Sequence, residues 1–300
     1  MRRLVHIGSV LVDIGVRVPR PPARGEDMLA SSASMAVAGG FNILSAAYRQ
    51  GMPAAYGGNI GSGRFGAMAV ETLAAEGIEV LLPPKHEGDT GFCVVMVDAT
   101  GERTMVTTMG VEAYMTPEDL AAIELRDDDF VYLSGYDLAY PHGPAVADWL
   151  RDHVVGQHLV FDPCPLLADI PAELLSSALD RATWISLNER EATLLTGDSD
   201  PRTVLARGSR VRGAVVRRGA EGCLLVTEAG IEHIPAFPAE VIDTTGAGDA
   251  HVGAFAAALA RGESPARACR FGNATASVVV STWGPATAPG LEVTERLVGT

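Results

Sequence analysis

Short apolar runs alternate with longer segments of helical period along most of this chain. Residues 3–16 (RLVHIGSVLVDIGV) read as a strand broken at Gly8-Ser9 and continued by a second extended piece. A proline-rich loop follows at 19–25, and residues 30–40 alternate small and apolar side chains up to a glycine pair. Residues 41–51 and 64–77 carry helical spacing, and each ends at a glycine, the residue that most readily takes the left-handed turn closing a helix. A short strand lies between them at 53–61, and two alternating runs joined by Ala-Thr-Gly-Glu predict a hairpin over 91–108.

From residue 129 onward the pattern is strand then helix. Residues 129–136 precede a helix at 143–154, 158–165 a helix at 171–180, and 182–188 a helix at 189–197. Residues 213–236 read as consecutive antiparallel strands, 241–262 as a strand end, a glycine turn and an apolar helix, and 264–284 as a further helix. Repeated β–α units imply a parallel sheet with helices on both faces. The extended pieces near 9–18 and 28–38 and the 91–108 hairpin fall outside that alternation. The expected organisation is one domain over residues 1–300, with a small β lid built from about 9–38 and 91–111.

Composition narrows the partners. The chain has 300 residues, 47% of them hydrophobic, enough for a sizeable core. Its formal net charge of −14 argues against nucleic-acid and anionic-membrane partners, which need clustered Lys and Arg. A small phosphate ligand stays open, because backbone N–H groups bind one without side-chain charge. Cys93, Cys164, Cys223 and Cys269 are scattered with no C-x-x-C pair, so neither a zinc site nor a disulfide framework is signalled. Reduced thiols of a cytoplasmic protein are the expectation. His6 and Asp13 interrupt the apolar N-terminal run, which is read as a strand and not a secretory leader. No uninterrupted apolar stretch is long enough to span a bilayer.

Chemistry concentrates at VIDTTGAGDAHVGAFAAALARG (241–262). Val252, Phe255, Ala256 and Leu259 share one helical face, and Arg261 with Gly262 closes the helix, which should begin near Gly248. The first N–H groups of a helix lack internal partners, and the helix dipole makes that end positive. Gly246, Ala247 and Gly248 therefore suit a phosphate or a developing negative charge. A carboxylate beside an anion site is repelled in the ground state, and accepting a proton from an attacking hydroxyl would account for Asp249 there. The plainer alternative is a tight turn with an acid in the first helical turn.

DTTGAGDAHVGAF (243–255) closely resembles the signature of the ribokinase family, also called the phosphofructokinase-B family of sugar kinases. GSVLVDIG (8–15) resembles the family's opening strand, and the stretch from AGGFNILS to GSGRFG (38–66) its N-terminal signature. SLNEREA (186–192) resembles the N-x-x-E motif, and VVRRGAEGC (215–223) the nucleotide-loop hairpin. The order is the family's, over nearly the whole chain. The resemblance implies an α/β, ribokinase-like fold: a mostly parallel central sheet, helices on both faces and a small β lid. It implies ATP-dependent phosphorylation of a hydroxyl on a sugar or sugar-like molecule. Asp249 would be the base and Gly246, Ala247 and Gly248 the anion hole. Asp13, Gly39, Gly40 and Asn42 would hold the sugar. Asn188 and Glu191 would organise Mg²⁺ and phosphate, Glu191 through water. Arg217, Gly219, Gly222 and Asn273 would line the nucleotide site, and Asp243 sits where many members bind a monovalent cation such as K⁺. Lid strands in this family often pair between subunits, so a homodimer is implied.

Other readings stay beside these. Asn188 with Glu191 is also a capping-box pattern. Gly219 and Gly222 also suit plain hairpin punctuation. GSGRFG (61–66) has the form of a dinucleotide fingerprint, but no acid ends the next strand and a helix already precedes it, which disfavours a dehydrogenase. His251 is set aside as a packed or solvated side chain. A catalytically silent sugar-binding regulator on the same fold is the main functional alternative. In GGFN (39–42) only Phe41 separates the glycine pair from Asn42, a shorter spacer than most members carry, so the acceptor does not transfer from the family. Arg20 and Arg24 in the lid loop would meet a phosphorylated sugar or face solvent; an unphosphorylated sugar or nucleoside is preferred.

Overall fold

The computed structural model describes residues 2–198 and 200–299; the two end residues of the expected domain lie outside them. The chain runs through β1 (Leu4–His6), β2 (Val10–Arg17), β3 (Ser32–Gly39), α1 (Gly40–Arg49), β4 (Ala54–Tyr56), α2 (Arg64–Glu76), β5 (Glu79–Val80), β6 (Phe92–Val97) and β7 (Arg103–Thr108). It continues with α3 (Pro117–Ala121), β8 (Phe130–Ser134), α4 (Gly135–Ala139), α5 (Gly143–His153), β9 (His158–Asp162), α6 (Ala172–Arg181), β10 (Ala182–Asn188) and α7 (Glu189–Thr196). The last elements are β11 (Gly213–Arg217), β12 (Cys223–Thr227), β13 (Gly230–Ile234), α8 (Ala247–Ala260), α9 (Pro265–Val280) and α10 (Leu291–Gly299).

Nine strands form one sheet in the order β13-β12-β11-β10-β9-β8-β1-β4-β5. Pairing is parallel from β11 through β5, and β12 and β13 add antiparallel at one edge. Alternate side chains of each strand point to opposite faces, which splits the core in two. Tyr132, Val160, Trp184 and Val215 join one cluster with Leu44, Leu73, Phe255 and Phe271 of α1, α2, α8 and α9. Val131, Leu133, Phe161 and Leu187 join the other with Leu120, Leu150, Leu179 and Leu195 of α3, α5, α6 and α7. Apolar burial on both faces is why the inner strands read as continuous hydrophobic runs.

A second sheet of four strands has the order β3-β2-β6-β7, with β2 and β6 parallel and the other pairs antiparallel. Only three residues separate β1 from β2, so the chain steps directly from the large sheet into the small one.

Three expectations are corrected. Residues 241–245 form no strand; the Ile242 and Asp243 N–H groups instead donate to the carbonyl of Val280, the last residue of α9. Tyr136 belongs not to β8 but to the helical turn α4, whose start is fixed by a capping box between Ser134 and Asp137. α8 begins at Ala247 and is buried on nearly every side, not on one face, because α1, α9 and the sheet enclose it. A Cβ at Gly253 would sit 2.6 Å from the Ile43 carbonyl oxygen, so glycine is what lets α1 approach so closely.

Candidate active site

The α8 mouth is built by backbone. Gly246 is the N-cap with φ +73°, a left-handed conformation that other L-residues adopt with strain, and no side chain caps the helix. The Ala247 N–H makes a long 3.3 Å bond to the Thr244 carbonyl, and the Gly246 and Gly248 N–H groups are the donors left to face a ligand. Asp249 stands in that first turn, and Asn42 Nδ2 donates to its Oδ2 at 2.9 Å. Asn42 arrives from the first turn of α1, whose start is pulled onto β1: the Gly40 N–H donates to the Ser9 carbonyl, and a Cβ at Gly40 would lie 2.0 Å from the His6 ring.

Above this mouth lies a cleft of about 190 Å³ between the two sheets. Asp13, Gly39, Gly40, Asn42, Gly246 and Asp249 all line it, brought together from sequence positions far apart. Ala247 and Gly248 follow in the helix but are not among the lining residues. Burial, with the nearby Asp249 charge, raises the Asp13 carboxyl to about 7. Burial also raises Asp249, while the Asn42 hydrogen bond and the charges of Arg217 and Arg103 pull it back down.

Wild-type stability should consequently fall as pH rises through the Asp13 window. The folded carboxyl stays protonated up to about 7, whereas an unfolded aspartate ionises near 3.9, so the native state holds the extra proton between those values. Asp13→Asn should gain roughly 1–2 kcal/mol at about pH 8 and nothing at about pH 4. Urea midpoints at the two pH values check this; a variant weaker than wild type at alkaline pH would contradict it.

Asn188, Glu191 and Arg217 form a second group. Asn188 caps α7: its Oδ1 accepts from the Glu191 N–H, and Glu191 Oε2 accepts from the Asn188 N–H, both at 2.8 Å. Arg217 donates to Asp162 Oδ2 at 2.6 Å and Ser186 Oγ at 2.7 Å, and lies 3.7 Å from Glu191. Its guanidinium carbon is 3.6 Å from where a Gly248 Cβ would stand, so this network abuts the α8 mouth. Burial, then the Asp162 charge, pushes Glu191 up.

The remaining positions lie farther out. Gly219 and Gly222 both have positive φ in the turn between β11 and β12. Asn273 is buried, and its Nδ2 donates to the Ile234 and Pro235 carbonyls, tying α9 to the chain after β13. Asp243 accepts from the Thr245 and Gly284 N–H groups, one on each carboxylate oxygen. His251 packs against Gly272 in the core, away from the cleft. Arg20 is exposed and paired with Glu26, and neither it nor Arg24 lines the cleft. The α2 mouth after GSGRFG is already filled, because Asp89 accepts from the Phe65 and Gly66 N–H groups.

Sequence reasoning missed several contributors. Arg103 and Met105 of β7, and Tyr136 and Tyr140 around α4, line the cleft. Asp162 was legible in principle, because it ends a parallel strand at the carboxyl edge where ligands bind in such sheets.

The pfkB family carbohydrate kinase model matches residues 1–291. The chain belongs to this family. It is 33% identical over 293 residues to the uncharacterized sugar kinase YegV of Escherichia coli, covering 95% of this chain and 91% of that one. It is 28% identical over 289 residues to the ribokinase of Bacillus subtilis, covering 95% and 94%. The structure of Arabidopsis thaliana ribokinase complexed with ribose and ATP superposes over the full length of both chains with a TM-score of 0.77 at 25% identity. This pfkB-family chain is thus a ribokinase-like carbohydrate kinase, whose reaction is ATP-dependent phosphorylation of a sugar. Among the described residues no helix is long and apolar enough to cross a membrane.

Proposed function

We propose that this kinase transfers the γ-phosphoryl group of ATP to a hydroxyl of an uncharged sugar or nucleoside. The observation that carries this is the floor of the cleft, where Asp249 and the open first turn of α8 meet. Asp249 takes the hydroxyl proton, and the N–H groups at Gly246 and Gly248, joined by that of Ala247 once it leaves its 3.3 Å bond to the Thr244 carbonyl, receive the charge of the phosphoryl oxygens. Asp13 and Asn42, with the backbone at Gly39 and Gly40, hold the acceptor. Among the described residues Arg103 is the one lysine or arginine lining the cleft, and a phosphorylated acceptor would need a further cation beside the one that meets the transferring group.

Arg217, Gly219, Gly222 and Asn273 belong to the nucleotide side, Asn273 by fixing the Ile234–Pro235 backbone. No cluster of three acidic, His or Cys side chains suits a tightly held metal among the described residues. That fits Mg²⁺ arriving with the nucleotide and held through water by Glu191, where it would neutralise phosphate charge. Asp243, with an N–H on each oxygen, fits a loop tether better than a K⁺ ligand. The four-stranded sheet acts as the lid that excludes water, and its free edges suit pairing in a homodimer, which analytical ultracentrifugation reads directly.

ADP release with a panel of pentoses, hexoses and nucleosides, with and without Mg²⁺, tests the proposal. Turnover is expected with a neutral acceptor and lost on chelation. Turnover only with phosphorylated or acidic sugars would overturn the acceptor class, and acceptor binding without any turnover would favour the silent regulator.

A further inference from the structure

One cation lining the cleft makes no close ion pair among the described residues. Arg217 is committed to Asp162 and Glu191, and Arg218 to Glu189 and Glu221. Arg103 lines the cleft yet pairs with no carboxylate within 4.0 Å among the described residues. It is the cleft's one lysine or arginine among the described residues, beside the acids Asp13, Asp137 and Asp249 and a His6 kept neutral by burial. Its hydrogen bond runs from Nη1 to Thr245 Oγ1 at 3.4 Å, next to Gly246 at the α8 mouth. The side chain starts on β7 in the small sheet and ends on the loop before α8, across the cleft. A guanidinium has five donors in a planar fork suited to phosphoryl oxygens, and most of these donors are unspent here.

We propose that Arg103 is a catalytic arginine delivered by the small sheet, which engages the transferring phosphoryl group at the Thr245–Gly246 loop. It makes closure of that sheet a condition for turnover. This rests on the kinase reading given above. In the step itself the acceptor oxygen bonds to the γ-phosphorus and the bond from that phosphorus to the bridging oxygen breaks. ADP leaves with the electron pair, and the hydroxyl proton goes to Asp249. Arg103 forms no covalent bond; it neutralises charge spread over the phosphoryl oxygens, where a positioned donor matters most.

The test compares Arg103→Ala and Arg103→Lys with wild type in the ADP-release assay. Arg103→Ala is expected to lower kcat by about 10²–10³-fold with a much smaller change in acceptor KM. Added guanidinium ion should restore part of that rate, and Arg103→Lys should retain more of it than the alanine variant. The acid limb of the kcat/KM profile should also move to higher pH in Arg103→Ala. Asp249 is faced by Asp162, Arg217, Arg103, Asp13, Tyr132, Tyr136 and Cys164, and it then loses one of two cations. A merely structural role would not give guanidinium rescue or that displacement. Unchanged kcat, or a loss confined to acceptor KM, would overturn the proposal while wild-type turnover leaves the kinase reading intact. Absence of wild-type turnover with every acceptor would overturn both. Should Arg103→Ala fold poorly, Arg103→Lys and Arg103→Gln carry the same comparison, the lysine variant expected to exceed the glutamine one.

Discussion

Replacing Asp249 with Asn is expected to lower kcat by about 10²–10⁴-fold or more, with acceptor affinity nearly unchanged. The amide keeps the shape and the contact with Asn42 but cannot take a proton. Asn42 donates from α1 into Asp249 on α8, so the carboxylate is oriented from a second helix. Its surroundings hold opposing influences: burial raises its pKa, while the Asn42 hydrogen bond, Arg217 and Arg103 lower it. The Asp162 charge adds to the upward push and the net direction is upward, so the carboxylate is a stronger proton acceptor than a free aspartate, as general-base catalysis needs. Calorimetric titration of the acceptor into Asp249→Asn, beside the ADP-release rate, checks both halves. A near-normal kcat would move the base elsewhere.

The large sheet was readable because its strands are buried on both faces and its helices are amphipathic, so each β–α unit marks itself. The α8 mouth was readable for a local reason: Gly246, Gly248 and Asp249 act through backbone and neighbours within one turn. What stayed hidden depends on long-range contact. Arg103 is an ordinary hairpin arginine until β7 is laid against β6 and the cleft forms beneath it. Tyr136 looked like a strand end because the Ser134–Asp137 capping box is a weak signal beside the apolar run of β8, and Tyr140 fell between the expected strand and helix. The segment 241–245 looked extended because Val241 and Ile242 are β-branched; its hydrogen bonds go to Val280, an acceptor that no local pattern reveals. Asn188 and Glu191 fit the capping box in the structure, and the same pair borders Arg217. Capping and phosphate organisation are compatible, since Glu191 spends one oxygen on the Asn188 N–H.

Arg217→Met should be the most destabilising single change at the site, by about 3–5 kcal/mol, the usual cost of removing one partner from a buried ion pair. The Asp162 and Glu191 side chains are only 6% and 4% exposed, and Arg217 is the cation that faces both. Its loss leaves two buried acids side by side with no local positive charge. Glu191, already pushed up by burial, would be pushed further, so the folded variant would hold a proton that the unfolded chain releases above about 4.3. The deficit should therefore widen as pH rises from about 4 to about 8. Urea denaturation across that range measures it. Adding Asp162→Asn should recover part of the loss, because one of the stranded charges is gone. A deficit below about 1 kcal/mol, flat with pH, would mean that Arg217 behaves as a solvent-screened surface partner. The α8 mouth would then owe little of its electrostatic setting to the network beneath Gly248.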